Sequence, residues 1–232
     1  MSVGRIFKME LLDKDDPHSR VVKIKFRVEN GFKLNALPGQ YLIIKDDGCE
    51  FPFSIANKDD DLLDIHVKKG GSPRVEKLLE EICFKTEVAA MGPFGDAVFQ
   101  MSNSPSDVVF VCAGVGYAQS HSYLRELDMT SFASVERVSL IWLVDDFESV
   151  YDHEFLMGLE SKWSKFDVTL VCETAEKCGF NSVSPESFNS FLSTRIRPST
   201  RVFVSGPRNL SLDVSRTLSQ KGHDEKIVSD FL

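Results

Sequence analysis

The sequence predicts two domains: an antiparallel β-barrel over residues 1–103 and, over 104–232, an α/β domain built on a doubly wound parallel sheet. Three observations carry this. Up to about Gln100 the chain runs through short period-two apolar segments parted by turn residues, the pattern of many short antiparallel strands. After Ser102-Asn103-Ser104-Pro105-Ser106-Asp107, a linker composition, the rhythm changes to unalternating apolar runs between helical stretches, as strands buried on both faces require. A length of 232 residues also suits two domains, at about 100–130 residues apiece.

In the first half, strands are expected at Arg5–Leu11, Val21–Val28, Gln40–Lys45, Phe51–Asn57, Leu62–Lys68, Thr86–Met91 and Ala97–Gln100. Turn chemistry parts them at Asp13-Lys14-Asp15-Asp16-Pro17 and at Asp46-Asp47-Gly48. The fourth segment carries Pro52 near its start, where a missing N–H costs least. One helix interrupts the series. Ser72 suits its N-cap, Pro73 its first position, and Val75, Leu78, Leu79 and Ile82 fall on one face. Ahead of it, Gly70 and Gly71 let backbone N–H groups approach an anion at the positive end of the helix; a plain strand-to-helix turn accounts for the same residues.

In the second half the apolar runs are Val108–Cys112, Val138–Val144, Val168–Cys172 and Arg201–Ser205, with a further one at Lys226–Val228. Gly114-Val115-Gly116 follows the first run and opens a helix. It falls short of the Gly-x-Gly-x-x-Gly dinucleotide pattern because Gln119 holds the last position, and a tight structural turn explains a lone Gly-x-Gly almost as well. After the second run, Asp145-Asp146 leads to Tyr151-Asp152, where a helix cap and a packed tyrosine are the plain alternatives to a binding role.

A net charge of −8 disfavours nucleic acid and anionic lipid as partners. No apolar run reaches the roughly eighteen residues of a membrane span, and the first residues lead into a strand pattern with no secretory apolar core. The five cysteines are spaced for neither zinc nor an iron–sulfur cluster, so no metal site is expected and a reducing, cytoplasmic setting is.

Phe51-Pro52-Phe53-Ser54 resembles the flavin-contacting Arg-x-Tyr/Phe-Ser strand of the ferredoxin-reductase-like family, the NAD(P)H–flavin oxidoreductases, with Phe51 where that family has arginine. Pro38-Gly39-Gln40-Tyr41, Lys68-Lys69-Gly70-Gly71-Ser72 and Gly92-Pro93-Phe94-Gly95 resemble further family turns in the same order. This spacing is especially similar to the electron-transfer subunit of dihydroorotate dehydrogenase, whose iron–sulfur cysteines are missing here. Gly114-Val115-Gly116 resembles the family's Gly-Thr-Gly-x-x-Pro turn, and Ser205-Gly206-Pro207 its Cys/Ala-Gly-Pro turn.

The resemblance implies a flavin-binding barrel and a nucleotide-binding α/β domain, with FAD or FMN and NADH or NADPH as cofactors. It implies that Phe51, Pro52, Phe53 and Ser54 meet the flavin, with Ser54 beside its N5, and that Lys68, Gly70, Gly71 and Ser72 meet the flavin phosphate. Gly114, Val115, Gly116, Asp145, Tyr151, Gly206 and Pro207 are placed with the nicotinamide nucleotide, and Phe231 near the ring. Without the arginine at position 51 the flavin is expected to behave as a dissociable substrate, and Asp145 and Asp146 favour NADH over NADPH. A protein electron acceptor is a possible partner. The alternatives are an electron-transfer subunit serving such a partner and a non-catalytic relative that keeps the fold.

Overall fold

The computed structural model describes residues 4–18, 20–99, 107–130, 135–173, 179–223 and 227–230. Six antiparallel strands, β1 (Arg5–His18), β2 (Val21–Val28), β3 (Tyr41–Asp46), β4 (Cys49–Asp59), β5 (Leu62–Lys68) and β6 (Val88–Phe94), close into a barrel in the order β1-β2-β5-β4-β3-β6. Alternation sets the register. Val22, Ile24, Phe26 and Val28 of β2 point into the core. The intervening Lys23, Lys25 and Arg27 face out, and a one-residue slip would exchange the two sets. Helix α1 (Pro73–Ile82) plugs the barrel with Leu78, Leu79 and Ile82, and Ser72 caps it by accepting the Arg74 N–H.

Two expectations for this half are corrected. The Asp13–Pro17 stretch is no turn: β1 runs through it to His18, and irregularities between Leu11 and Asp13 and between Asp15 and His18 absorb the misfit against β2. Ala97–Phe99 forms no strand either, and Gln100 lies outside the described residues. Instead the Phe99 N–H donates to the Pro38 carbonyl, and its ring leaves the barrel to pack among Phe110, Tyr123 and Phe203. The boundary expected at 103/104 and the linker up to Ser106 also lie outside the described residues.

The second half is a parallel sheet of six strands. They are β7 (Asp107–Ala113), β8 (Arg137–Leu143), β9 (Phe166–Val171), β10 (Asn181–Val183), β11 (Arg201–Ser205) and β12 (Ile227–Val228), ordered β10-β9-β8-β7-β11-β12. The chain starts at the centre, builds outward to β10, then returns beside β7, so the order reverses between β8 and β11. A crevice opens at such a switch point, at the carboxyl ends of the strands. Helices α2 (Tyr117–Thr130), α3 (His153–Lys162), α4 (Phe188–Arg195) and α5 (Arg208–Ser219) accompany the sheet, and its two faces bury separate apolar clusters. The short β10 carries no apolar signal of its own; it exists because the edge of β9 pairs with it.

The domains meet along α2, which packs on β4, and the Gln119 amide of α2 donates to the Gly39 carbonyl at 2.6 Å. Lys23 of β2 reaches Asp152 at 2.7 Å, and Arg20 reaches Asp146 at 2.9 Å.

Candidate functional site

Between the domains lies a cleft of about 1050 Å³. Its barrel wall is built by β3 and β4: Tyr41 and Ile43 from the first, and Pro52, Phe53 and Ser54 from the second. β5 adds His66 and Lys68, two residues apart and hence on one side of the strand. Ile65 pairs with Ile55, so His66 stands beside Ser54 in the sheet.

The opposite wall comes from the carboxyl ends of β7, β8 and β11. Gly114, Val115 and Gly116 follow β7, Asp145 follows β8, and Gly206 and Pro207 follow β11. Two of these glycines are sterically required. A Cβ on Gly116 would lie 2.7 Å from the Ser205 carbonyl oxygen, and Gly206 adopts φ +130° with Ala113 N 3.2 Å from where its Cβ would be. The two turns therefore nest backbone against backbone. Trp142 braces them by donating from its indole N–H to the Gly114 carbonyl at 3.0 Å while stacking on Tyr117 at 4.2 Å.

Below the cleft, polar side chains from both domains converge on Asp152. Its carboxylate accepts from Lys23 at 2.7 Å and from the Tyr117 hydroxyl at 2.8 Å, and lies 3.4 Å from His121 Nε2. His121 Nδ1 meets the Ala56 carbonyl at 2.9 Å, and His66 Nδ1 lies 3.1 Å from the Tyr151 hydroxyl. Burial holds the His66 imidazole well below its ordinary range, with His121 and Lys23 adding to the shift, so the ring facing the cleft is neutral. Burial lowers His121 as well, against the pull of the Asp152 carboxylate. Tyr117 and Tyr151 are pushed well up, first by burial and then by Asp152, and stay protonated.

Of the residues singled out from the sequence, the cleft brings together Pro52, Phe53, Ser54, Lys68, Gly114, Val115, Gly116, Asp145, Gly206 and Pro207. It does not bring in five others. Phe51 pairs with Ile44 and turns its side chain into the barrel core, because β4 alternates and the core claims that phase. Tyr151 is buried against His66, Tyr117 and Trp142, where it serves as packing. Gly70, Gly71 and Ser72 lie outside the cleft lining. The Gly70 N–H donates to the Glu76 carboxylate of the chain's own helix α1, and the Ser72 hydroxyl caps that helix. Phe231 lies outside the described residues.

The cleft also uses residues the sequence reading passed over. His66 shares a strand side with Lys68, and period-two spacing from Lys68 was the signal that could have found it. Gln119 and Asp230 carried no such signal. The Asp230 carboxylate accepts from the Asp96 and Ala97 N–H groups at 3.0 and 3.1 Å and from the Gln119 amide at 3.1 Å, joining the end of the sheet to the barrel. Across the cleft mouth, Lys68 reaches Asp145 at 3.8 Å.

No family model matches the chain. It is 25% identical over 147 residues to protein RfbI of Salmonella typhimurium, a match that covers 62% of this chain and 42% of that one, so the chain spans less than half of that relative. It is 24% identical over 174 residues to a protein of Photobacterium leiognathi named probable flavin reductase, covering 72% of each. Among solved structures, a ferredoxin NADP+ reductase from Neisseria gonorrhoeae with bound FAD and NADP superposes with a TM-score of 0.78 at 17% identity, covering 97% of both chains. The barrel, the parallel sheet behind it and the cleft between them make this the two-domain fold of the ferredoxin-reductase-like FAD/NAD-binding proteins.

Proposed function

We propose that the protein is an oxidoreductase that passes hydride from a reduced nicotinamide nucleotide, NADH in preference to NADPH, to a flavin that it binds as a dissociable substrate. One observation carries the reading: Ser54 on the barrel wall and the nested turns of Gly116 and Gly206-Pro207 on the other wall line a single cleft. The relatives named flavin reductase and ferredoxin NADP+ reductase support the same chemistry.

The residues fit the flavin ring and not its phosphate. Pro52, Phe53, Tyr41 and Ile43 offer an apolar bed beside the Ser54 hydroxyl and a neutral His66. For the phosphate, position 51 gives a core phenylalanine, and the Gly70 N–H already holds Glu76. A flavin ring bound on that bed supplies the hydride acceptor; the chain supplies position and exclusion of water. Ser54 offers a hydroxyl to orient the ring, and the Gly114–Gly116 turn lets backbone approach the nucleotide pyrophosphate at the start of α2. At the mouth, Asp145 and Asp146 are engaged by Lys68 and Arg20. The loop itself, Asp145-Asp146-Phe147-Glu148, carries carboxylates and no cation that would greet a 2′-phosphate.

Anaerobic stopped-flow mixing with NADH or NADPH, each with and without riboflavin, FMN and FAD, tests this. The expected result is nucleotide oxidation that requires added flavin and prefers NADH by about tenfold or more, equivalent to about 1.4 kcal/mol. Oxidation of neither nucleotide with any flavin overturns the reading, and a preference for NADPH overturns the role of the 145–146 loop.

A further inference from the structure

We propose that Trp142 is a positioning residue for the nicotinamide nucleotide: its indole N–H sets the plane of the Gly114–Val115 peptide so that the Val115 N–H is presented to the nucleotide's phosphates. The inference rests on the oxidoreductase reading above and names a residue that acts on the nucleotide from behind the cleft wall.

One carbonyl is the pivot. The Gly114 oxygen accepts the Trp142 indole N–H at 3.0 Å and also the backbone N–H of Tyr117. Trp142 is fully buried, so the carbonyl is drawn into the domain interior. The Gly114–Val115 bond is trans, and in a planar trans peptide the N–H points opposite to the carbonyl. The Val115 N–H is therefore turned outward, and Val115 is part of the cleft lining. Gly114 permits this orientation because its φ of +51° lies where a side chain would be strained.

Such a pivot works only if the indole is itself fixed. Trp142 stacks on Tyr117 at 4.2 Å with the rings 16° from parallel, and Tyr151 meets it edge to face at 5.4 Å. The Tyr117 hydroxyl donates to Asp152 at 2.8 Å, and Lys23 of the barrel holds Asp152 in turn at 2.7 Å. At the other end of the turn Gly116 has no room to adjust, since it lies against the Ser205 carbonyl and the Gly206 backbone. The indole is thus clamped through groups of both domains, and the donor it aims is in place before a nucleotide arrives, which lowers the ordering cost of binding. A phosphate gains more from that donor than a neutral group does, because charge-assisted hydrogen bonds are roughly twice as strong as neutral ones. The start of α2 adds partial positive charge at the same place.

Isothermal titration calorimetry with ADP and with adenosine tests the assignment apart from turnover. Trp142→Phe keeps a ring on Tyr117 and removes the indole donor. It is expected to weaken ADP about fivefold, the effect of one hydrogen bond, and to leave adenosine, which has no phosphate, within about twofold. Tyr117→Phe keeps the stack but frees it from Asp152, and should weaken ADP in the same direction by about two- to threefold. Riboflavin binding, read by fluorescence quenching, should stay within about twofold in both variants, because the barrel wall is untouched. Unchanged ADP affinity in Trp142→Phe overturns the inference alone. An equal loss for ADP and adenosine does the same, since it marks a general effect on the fold. Should Trp142→Phe not fold, Tyr117→Phe decides by the same criteria. If the unsubstituted chain binds neither ADP nor NADH, the functional reading beneath the inference falls.

Discussion

At the scale of single residues, Ser54 carries the sharpest consequence. Ser54 lines the cleft, so Ser54→Ala is expected to leave thermal stability nearly unchanged. On the proposed function, loss of one orienting hydrogen bond of about 1 kcal/mol should slow hydride transfer by about fivefold, read from single-turnover rates. Residues of this kind were legible in the sequence where backbone geometry demands a residue type. Gly116 must approach the Ser205 carbonyl and Gly206 must take a positive φ, and both demands are local. Side-chain direction was less legible. Phe51 and Tyr151 sit within the motifs, yet whether they face the cleft depends on which phase of a strand the core claims and on what their neighbours already fill. His66 was missed because a single histidine in an apolar strand reads as core, although its period-two spacing from Lys68 marks the open side.

At the scale of elements, the loop between β8 and α3 is held by its partners in the barrel. Asp152 precedes α3 and gathers Lys23, Tyr117 and His121 from β2 and α2. Asp152→Ala leaves a lysine, a buried hydroxyl and a buried imidazole without their shared partner. It is expected to lower stability by about 1–3 kcal/mol, checked by urea denaturation. Asp152→Asn keeps an acceptor for Tyr117 and should cost less. The sequence placed β2, β5, α1 and β11 because their apolar periods and caps are strong. It misjudged β1, whose irregular pairing is decided by the partner strand, and gave no sign of β10, a three-residue edge strand held by pairing alone.

At the scale of the whole molecule, acid should act on the seam between the domains. His66 faces Tyr151, Tyr117, His121 and Lys23, and His121 faces Asp152, Lys23 and Arg125. Both imidazoles are lowered in the fold, chiefly by burial, so below about pH 6.5 the unfolded chain takes up protons that the folded chain refuses. Stability is therefore fully present above that pH and falls as the pH drops through and below it. Denaturation midpoints at pH 8, 6 and 5 should decline in that order, and a His66→Asn variant should decline less steeply. The placement of Phe99 has a further consequence at this scale. It follows the last barrel strand, yet its ring sits with Phe110, Tyr123 and Phe203, and Val21 of β2 joins the same cluster. The first half of the chain thus completes part of the second half's interior. The two are expected to unfold as one calorimetric transition, and severing them would uncover the aromatic surface that Phe99 covers on Phe110, Tyr123 and Phe203.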